Sequence, residues 1–328
     1  MTPAELSRTV RHAVCRAVED GVLRVRTPDS VKIERPRPGG RGDYATALAL
    51  RLAPQAGRPA LEVAEAIKER IRHEPGIACV EVTGPGFLNF TLHSGAQEQL
   101  VRQVLREGPG YGAPRQPGGP FPHPDELRAR VWADTLARLG AEARPGEAVR
   151  VLPAADQALH ERLGADAARW ALLAAAAHDA PKPGDGLLVQ HERNPLFRVR
   201  YAHARARALR RNAAALGFGA APDERVDSED ARALTAAVAD HPAVVADAAR
   251  LRAPDRLVRH LDVTADALLS FQGPAQSSSP SGVRHSVLPV GDEKPSAAHR
   301  ARLALAEAAG TVLAGGLFLL GISAPDHL

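Results

Sequence analysis

Arg200, Arg207 and Arg211 recur at spacings that bring all three within a narrow arc of one helix face. They lie in residues 194–211, N-P-L-F-R-V-R-Y-A-H-A-R-A-R-A-L-R-R, where His203 and Arg210 stand beside that arc. Tyr201 and Arg205, four residues apart, share a flank of the same helix. Guanidinium groups in a row neutralise phosphates and hold them through paired hydrogen bonds, and a Tyr ring offers a stacking surface to an unpaired base. The chemistry this pattern would serve is RNA binding. A solvated, Arg-rich helix face is the alternative that the same residues carry.

Such a face must be held by a helix that packs on its other side. Asn194 followed by Pro195 reads as a helix start, with Asn as the cap and Pro in the first turn, where its missing N–H costs nothing. Ala202, Ala206, Leu209, Ala213 and Leu216 then fall on one apolar stripe. Small residues on that stripe suit close packing into a bundle.

Composition agrees with a helical core. The 328 residues leave room for two or three domains. Hydrophobic residues make up 45% and aromatic residues only 4%, so the cores must be built mainly from Leu, Val and Ala. The net charge of +4 favours a polyanionic partner. Nearly all the positive charge is Arg, with Lys only at Lys32, Lys68, Lys182 and Lys294; a GC-rich genome would produce the same bias. Cys15 and Cys79 are too few for a disulfide framework or a structural zinc site. No charged-then-apolar leader and no long apolar run is read from the sequence, so a soluble, cytoplasmic monomer without a membrane partner is expected.

Periodicity divides the chain. Residues 6–18 repeat apolar positions at helical spacing, and residues 22–26 and 31–35 alternate like strands. A helix is expected to follow residues 42–46 and run to about residue 52, with another over 59–72. Strands over 77–83 and 87–92 flank Gly84-Pro85-Gly86, and a helix over 95–106 closes an α+β domain, residues 1–107. Residues 108–154 read as a Gly/Pro-rich linker with one short helix near 123–140. Residues 155–328 read as all-helical, with helices at 164–176, 194–216, 227–240, 242–252, 255–271 and 296–314. A Ser-, Pro- and Gly-rich stretch, 273–295, is expected to be a flexible insert. His160-Glu161 and His191-Glu192 lack the second His of a zinc-protease helix. Gly108, Gly110 and Gly112 lack the strand–turn–helix setting of a phosphate loop.

Several of these stretches resemble one family in chain order. The helix opening N-P-x-F-x-V-x-Y-A-H-A-R is similar to the first helix of the anticodon-binding domain of arginyl-tRNA synthetases. G-D-Y-A-T at 42–46 and G-P-G-F-L-N-F at 84–90 resemble the amino-terminal domain of the same family. The stretch from A-R-L-A-L at 301–305 to G-I-S-A-P-D-H-L at 321–328 resembles its carboxy-terminal end, with Asp326, His327 and Leu328 in place of the usual Glu and closing hydrophobic residue. The resemblance implies that Phe87 and Asn89 read a D-loop nucleotide by stacking and amide hydrogen bonding. Tyr201 and Arg205, in the positions that match the family's Y-A-H-A-R motif, are thereby assigned to the anticodon loop; His203 is a further candidate RNA-binding residue, and Arg200, Arg207 and Arg211 are assigned to phosphates from their shared face. Alternatively, Phe87 and Phe90 are core residues and Asn89 belongs to a turn or sheet edge.

The segment H-P-D-E-L-R at 123–128 resembles the first ATP signature of class I synthetases, with the small Gly replaced by Asp125 and the second His by Glu126. Both replacements repel a polyphosphate. Fewer than forty residues separate it from L-G-A-D-A-A-R-W-A-L-L at 163–173, similar to the helix after the second signature, and a nucleotide-binding α/β domain needs more than about 100. The expected architecture is an α+β amino-terminal domain followed by an all-α anticodon-binding helix bundle, with no Rossmann catalytic domain. No catalytic residue, metal or cofactor is expected. The implied function is non-catalytic binding of tRNA, with tRNA-Arg the first candidate. The alternatives are a module docking on a synthetase or other protein, and a tRNA-delivery partner of an aminoacyl-tRNA-using transferase.

Overall fold

The computed structural model describes residues 1–36, 41–93, 95–156, 158–272 and 286–328. The chain divides into two compact units, Met1–Leu100 and Val101–Leu328. Most of the expected insert at 273–295 lies outside the described residues.

The first unit begins with helix α1 (Pro3–Glu19), started by a capping box in which Thr2 and Glu5 satisfy each other's backbone N–H groups. Strand β1 (Tyr44–Thr46), helices α2 (Leu48–Ala56) and α3 (Ala60–Lys68), and strands β2 (Ile77–Thr83) and β3 (Phe87–Leu92) follow. The three strands form an antiparallel sheet in the order β1-β3-β2. One face of this sheet carries Tyr44, Val80, Leu88 and Phe90 into a core with Leu6, Val10 and Val14 of α1 and Val63 and Ile67 of α3. Alternation along β3 therefore turns Phe87 and Asn89 to the opposite face.

The motif G-D-Y-A-T has a backbone explanation. Gly42 sits at φ +79°, and a Cβ there would lie 2.7 Å from the Phe90 carbonyl oxygen. That approach lets the Asp43 N–H donate to Phe90 O at 2.7 Å while the Asp43 carboxylate accepts from Leu92 N at 2.8 Å. The expected strands at 22–26 and 31–35 are replaced by irregular chain with one bridge, Glu34 to Ala45. Their alternation reports that Leu23 and Val31 are buried while their neighbours are not. Pro28 and Pro36 lack the N–H that a continuous ladder would require.

Helix α4 (Ala96–Glu107) carries the chain into the second unit, which contains α5 (Leu127–Arg138), α6 (Leu159–Ala174), α7 (Pro195–Ala215), α8 (Glu229–Leu251), α9 (Asp255–Gln272) and α10 (Ala297–Leu320). Helix α10 is the hub, packed against α5, α7, α8 and α9. A Cβ at Gly310 of α10 would fall 2.8 Å from the Ala206 Cβ of α7, so small side chains on both helices permit this crossing. Helix α10 is long and apolar enough to cross a membrane, contrary to the expectation of no long apolar run. Its apolar window is 78% buried, as in the core helix of a bundle. The expected break between residues 240 and 242 is absent, and α8 runs on through Pro242.

Residues 108–154, expected as a linker, belong to this unit. Tyr111 is buried and its hydroxyl donates to Val238 O at 3.3 Å, while Gly112 passes against His241 and Pro242. The boundary accordingly falls at Leu100/Val101 rather than after residue 107. The helix expected from residue 164 is present, and Gly164, at φ +75°, breaks it from a short helical turn that begins at Leu159.

Tyr111, His241 and His260 form a buried stack, with ring centroids 6.2 Å and 5.4 Å apart. Neither ring nitrogen of His241 has a hydrogen-bond partner among the described residues, and the Nε2 of His260 also lacks one. Desolvation holds His241 down at about 3, with help from nearby His260, and His260 at about 4. Both rings thus stay neutral when folded but take a proton near 6.5 when unfolded. Their stability contribution is complete above pH 6.5 and is lost as pH falls from 6.5 toward the folded values. Urea unfolding at pH 7.5 and pH 5 should show a loss of about 2 kcal/mol per ring on acidification. His241→Phe should remove about half of that loss; an unchanged pH dependence would show that the ring is hydrated in solution.

Candidate nucleic-acid interface

Helix α7 is positioned by its cap and its buried face. The Asn194 side-chain carbonyl accepts from Leu196 N and Phe197 N, while its amide donates to Leu187 O and Val189 O, both at 2.9 Å. Leu196, Val199, Ala202, Ala206 and Ala213 face the bundle. Leu209 is half-buried and Leu216, just past the helix end, is exposed, so the apolar stripe is shorter than the sequence spacing suggests. His203 is buried beside the stripe instead of lying on the Arg face. Its Nδ1 lies 3.2 Å from Gly310 O and its Nε2 3.5 Å from the Asp326 carboxylate. Burial lowers its pKa against the opposing pull of these acceptors.

The three arginines of the expected phosphate face do share it, and each is engaged within the unit. Arg200 forms an ion pair with Asp166 and donates to Ser323 O at 3.1 Å and Ser323 Oγ at 2.6 Å. Arg207 grips both oxygens of Asp326, at 3.0 and 3.2 Å. Arg211 reaches Asp326 O and His327 Nδ1, both at 3.4 Å.

The flank is different. Tyr201 is 38% exposed, and its ring stacks on Phe197 with centroids 5.7 Å apart and planes 16° from parallel. Arg205 is exposed and makes no ion pair among the described residues. A supported aromatic face beside an uncommitted guanidinium is an arrangement that can receive a base and an adjacent phosphate. Phe197 is a member of this cluster that sequence reasoning missed; its spacing of four from Tyr201 was the available signal. A cleft of about 390 Å³ adjoins it, lined by Leu163, Asp166, Leu187, Phe197, Arg200 and Leu328 among others.

In the first unit Phe87 is 39% exposed at the end of the β2–β3 hairpin, opposite Thr83. Phe90 is in the core, so the two Phe residues have different roles. Asn89 is buried on the outer face, between Ala45 and Glu81 of the flanking strands. Its side-chain amide donates to Thr83 Oγ1 at 2.6 Å. That bond fixes the amide orientation and leaves its carbonyl oxygen directed elsewhere. Phe87 and Asn89 thus share one face of β3, the ring exposed and the amide buried.

Comparison with known proteins gives these surfaces a family context. Residues 4–92 match the family model for the arginyl tRNA synthetase N terminal domain, and residues 199–328 match the DALR anticodon binding domain. The chain pairs an arginyl-tRNA synthetase amino-terminal domain with a DALR anticodon-binding domain. It is 47% identical over 119 residues to the arginine–tRNA ligase of Frankia alni, covering 36% of this chain and 22% of that protein. It is 37% identical over 203 residues to that of Kineococcus radiotolerans, covering 57% of this chain and 35% of the relative. The chain thus spans about a third or less of the length of these curated relatives. Thermus thermophilus arginyl-tRNA synthetase superposes with a TM-score of 0.63 at 15% identity, covering 100% of both chains. The Plasmodium falciparum enzyme gives 0.62 at 7% identity, covering 99% of both. At such identities these structures establish likeness of fold.

The DALR domain contains α7 from Val199 onward together with α8, α9 and α10. Between the two matched domains the described residues contain α4, α5, α6 and most of the first turn of α7, with no strand. A doubly wound nucleotide-binding layer requires a parallel sheet, and none is formed by the described residues of this interval.

Within this interval the segment at 123–128 is committed to local structure. Asp125 pairs with Arg130 at 2.9 Å. Glu126 caps α5, accepting from Ala129 N at 2.8 Å and from Ala154 N at 2.9 Å. Arg128 is fully buried and donates to the carbonyls of Leu152, Leu172, Ala175, Ala176 and Asp179 at 2.7–3.0 Å. Desolvation lowers the Arg128 pKa, opposed by Glu126, Asp255 and Asp179. Four of these carbonyls lie at or beyond the carboxy-terminal end of α6, where a positive charge also meets the helix dipole favourably, and Leu152 O lies ahead of that helix. Arg128→Met should destabilise the protein by about 3–5 kcal/mol in urea unfolding, the expected consequence of leaving several buried carbonyls without a donor. Arg130→Met, which removes an exposed pair, should cost less than about 1 kcal/mol. Equal costs would show that water replaces the buried guanidinium.

Proposed function

We propose that this chain is a non-catalytic tRNA-binding protein that engages an anticodon arm through α7 and a D-loop nucleotide through β3. The exposed Tyr201 ring, supported by Phe197 and flanked by uncommitted Arg205 within the anticodon-binding domain, carries this reading. Stacking on Tyr201 selects an unpaired base, while Arg205 neutralises a neighbouring phosphate. Phe87 and Asn89 serve the second contact on the other domain. The residues that resemble an ATP signature hold α5 and α6 instead, which supports a role without aminoacylation.

Binding titrations with tRNA on the intact chain test the assignment. Tyr201→Ala should weaken the preferred tRNA by about 1–3 kcal/mol, the worth of one stacked base. Arg205→Ala should weaken all RNAs alike and reduce the salt slope by about 0.7–0.9. Both side chains are exposed, so melting temperatures should barely move. Should Tyr201→Ala bind every RNA as the parent does, the ring is no reading surface. Phe87→Ala should likewise weaken tRNA but spare an isolated anticodon stem-loop; equal losses on both would remove the D-loop assignment. Arginine-dependent pyrophosphate exchange should remain at background, and exchange above it would overturn the non-catalytic reading.

A further inference from the structure

The segment following α10 lies across the arginine face of α7, and its polar groups occupy the guanidinium groups that RNA phosphates would need. Gly321 ends α10 in the left-handed conformation, and buried Ile322 anchors the turn. Ser323 is fixed next, its hydroxyl donating to Asp166 at 2.6 Å while its oxygens accept from Arg200. Beyond it, Asp326 and His327 are exposed. Their contacts with α7 are the bidentate Arg207–Asp326 pair, the His203 approach at 3.5 Å and the longer Arg211 bonds. Asp326 thus accepts at its carboxylate in the geometry a phosphate would use. The hydrogen bond from Arg207 holds the Asp326 carboxyl below its ordinary pKa, so it is ionised at neutral pH.

We propose that residues 324–327 form a displaceable strap: the Asp326 carboxylate masks Arg207 as a phosphate mimic, while the Asp326 carbonyl and His327 occupy Arg211, until RNA displaces them. This inference rests on the tRNA-binding reading and names the regulation of that same surface. The two attachments differ in kind. Ser323 sits beside a buried anchor and two partly buried partners, Asp166 and Arg200, whereas Asp326 is held mainly by exposed charge, which salt and competing anions weaken. Release can therefore begin at Asp326 while Ile322 stays packed. Arg200 remains tied to Asp166 in this scheme, leaving Arg207 and Arg211 as the groups unmasked. The strap makes affinity depend on exchange of one anion for another, a penalty that weak nonspecific polyanions would not overcome as readily as a tRNA also held at Tyr201.

The test compares the intact parent, Asp326→Asn and Asp223→Asn in titrations with unfractionated tRNA. Asp223 pairs with Arg102 at 3.0 Å on the same unit, so its substitution removes one exposed, paired charge without touching the strap. Asp326→Asn should bind tRNA about three- to tenfold more tightly than Asp223→Asn, as expected for freeing one competed guanidinium. Its salt slope should steepen by about 0.7–0.9, for the single guanidinium of Arg207 released. In the parent, amide hydrogen exchange of residues 324–328 should accelerate when tRNA is added. If all three proteins bind tRNA alike, or if Asp326→Asn binds more weakly, the strap is overturned while tRNA binding stands. If none binds tRNA, the functional reading fails and takes the strap with it.

Discussion

The approach of α7 to α10 at Ala206 and Gly310 is the constraint from which the rest of the second unit follows. An added methyl at Gly310 would meet the Ala206 Cβ at 2.8 Å, so neither helix can carry a larger side chain there without moving apart. This crossing buries one face of α7 and presents Tyr201 and Arg205 on its exposed flank. It also buries His203 against Gly310 O, which removes the imidazole from the polar surface. Rigid backbone packing underneath is what permits a stacking ring to be held in place at low entropic cost.

Charge is arranged differently from charge composition. Arg128 carries its positive charge into the interior, where carbonyl oxygens surround it. Arg198 pairs with Asp262 and Asp266, and Arg252 with Glu147. These groups stabilise helix junctions and add little to an outward field. What matters for a polyanion is the smaller set that faces solvent without a fixed carboxylate, of which Arg205 is the clearest member on α7. The net charge of +4 conceals this partition.

The interval between the two matched domains shows how a short chain segment can join the neighbouring helical unit. Tyr111 bonds to α8, Glu126 caps α5 and gathers Ala154, and Arg128 gathers the end of α6. Each interaction satisfies backbone groups that a helix end or irregular segment leaves open. Side chains that resemble nucleotide-binding positions are thereby used for backbone satisfaction.

Much of the architecture was legible in the sequence. The Asn-Pro cap of α7, the Gly-Pro-Gly turn between β2 and β3, and most helices follow from local stereochemistry and periodicity, which act over a few residues. The motifs around Phe87, Asn89, Tyr201 and Arg205 were legible for the same reason, because each lies within one continuous element. The alternation of residues 22–35 was misleading, since it records burial and cannot reveal whether a partner strand completes the ladder. The Gly- and Pro-rich composition of residues 108–154 likewise could not disclose Tyr111 beneath α8 or Arg128 beneath α6. By itself, the sequence determined where helices begin, which faces are apolar and which side chains can stack or bind phosphate. Only the tertiary structure decided that His203 is buried, that Arg200, Arg207 and Arg211 meet Asp166 or the segment after α10, and that Tyr201 and Arg205 remain open. Those outcomes depend on partners more than thirty residues away for Asp166 and more than a hundred for Asp326, and no local pattern encodes such distances.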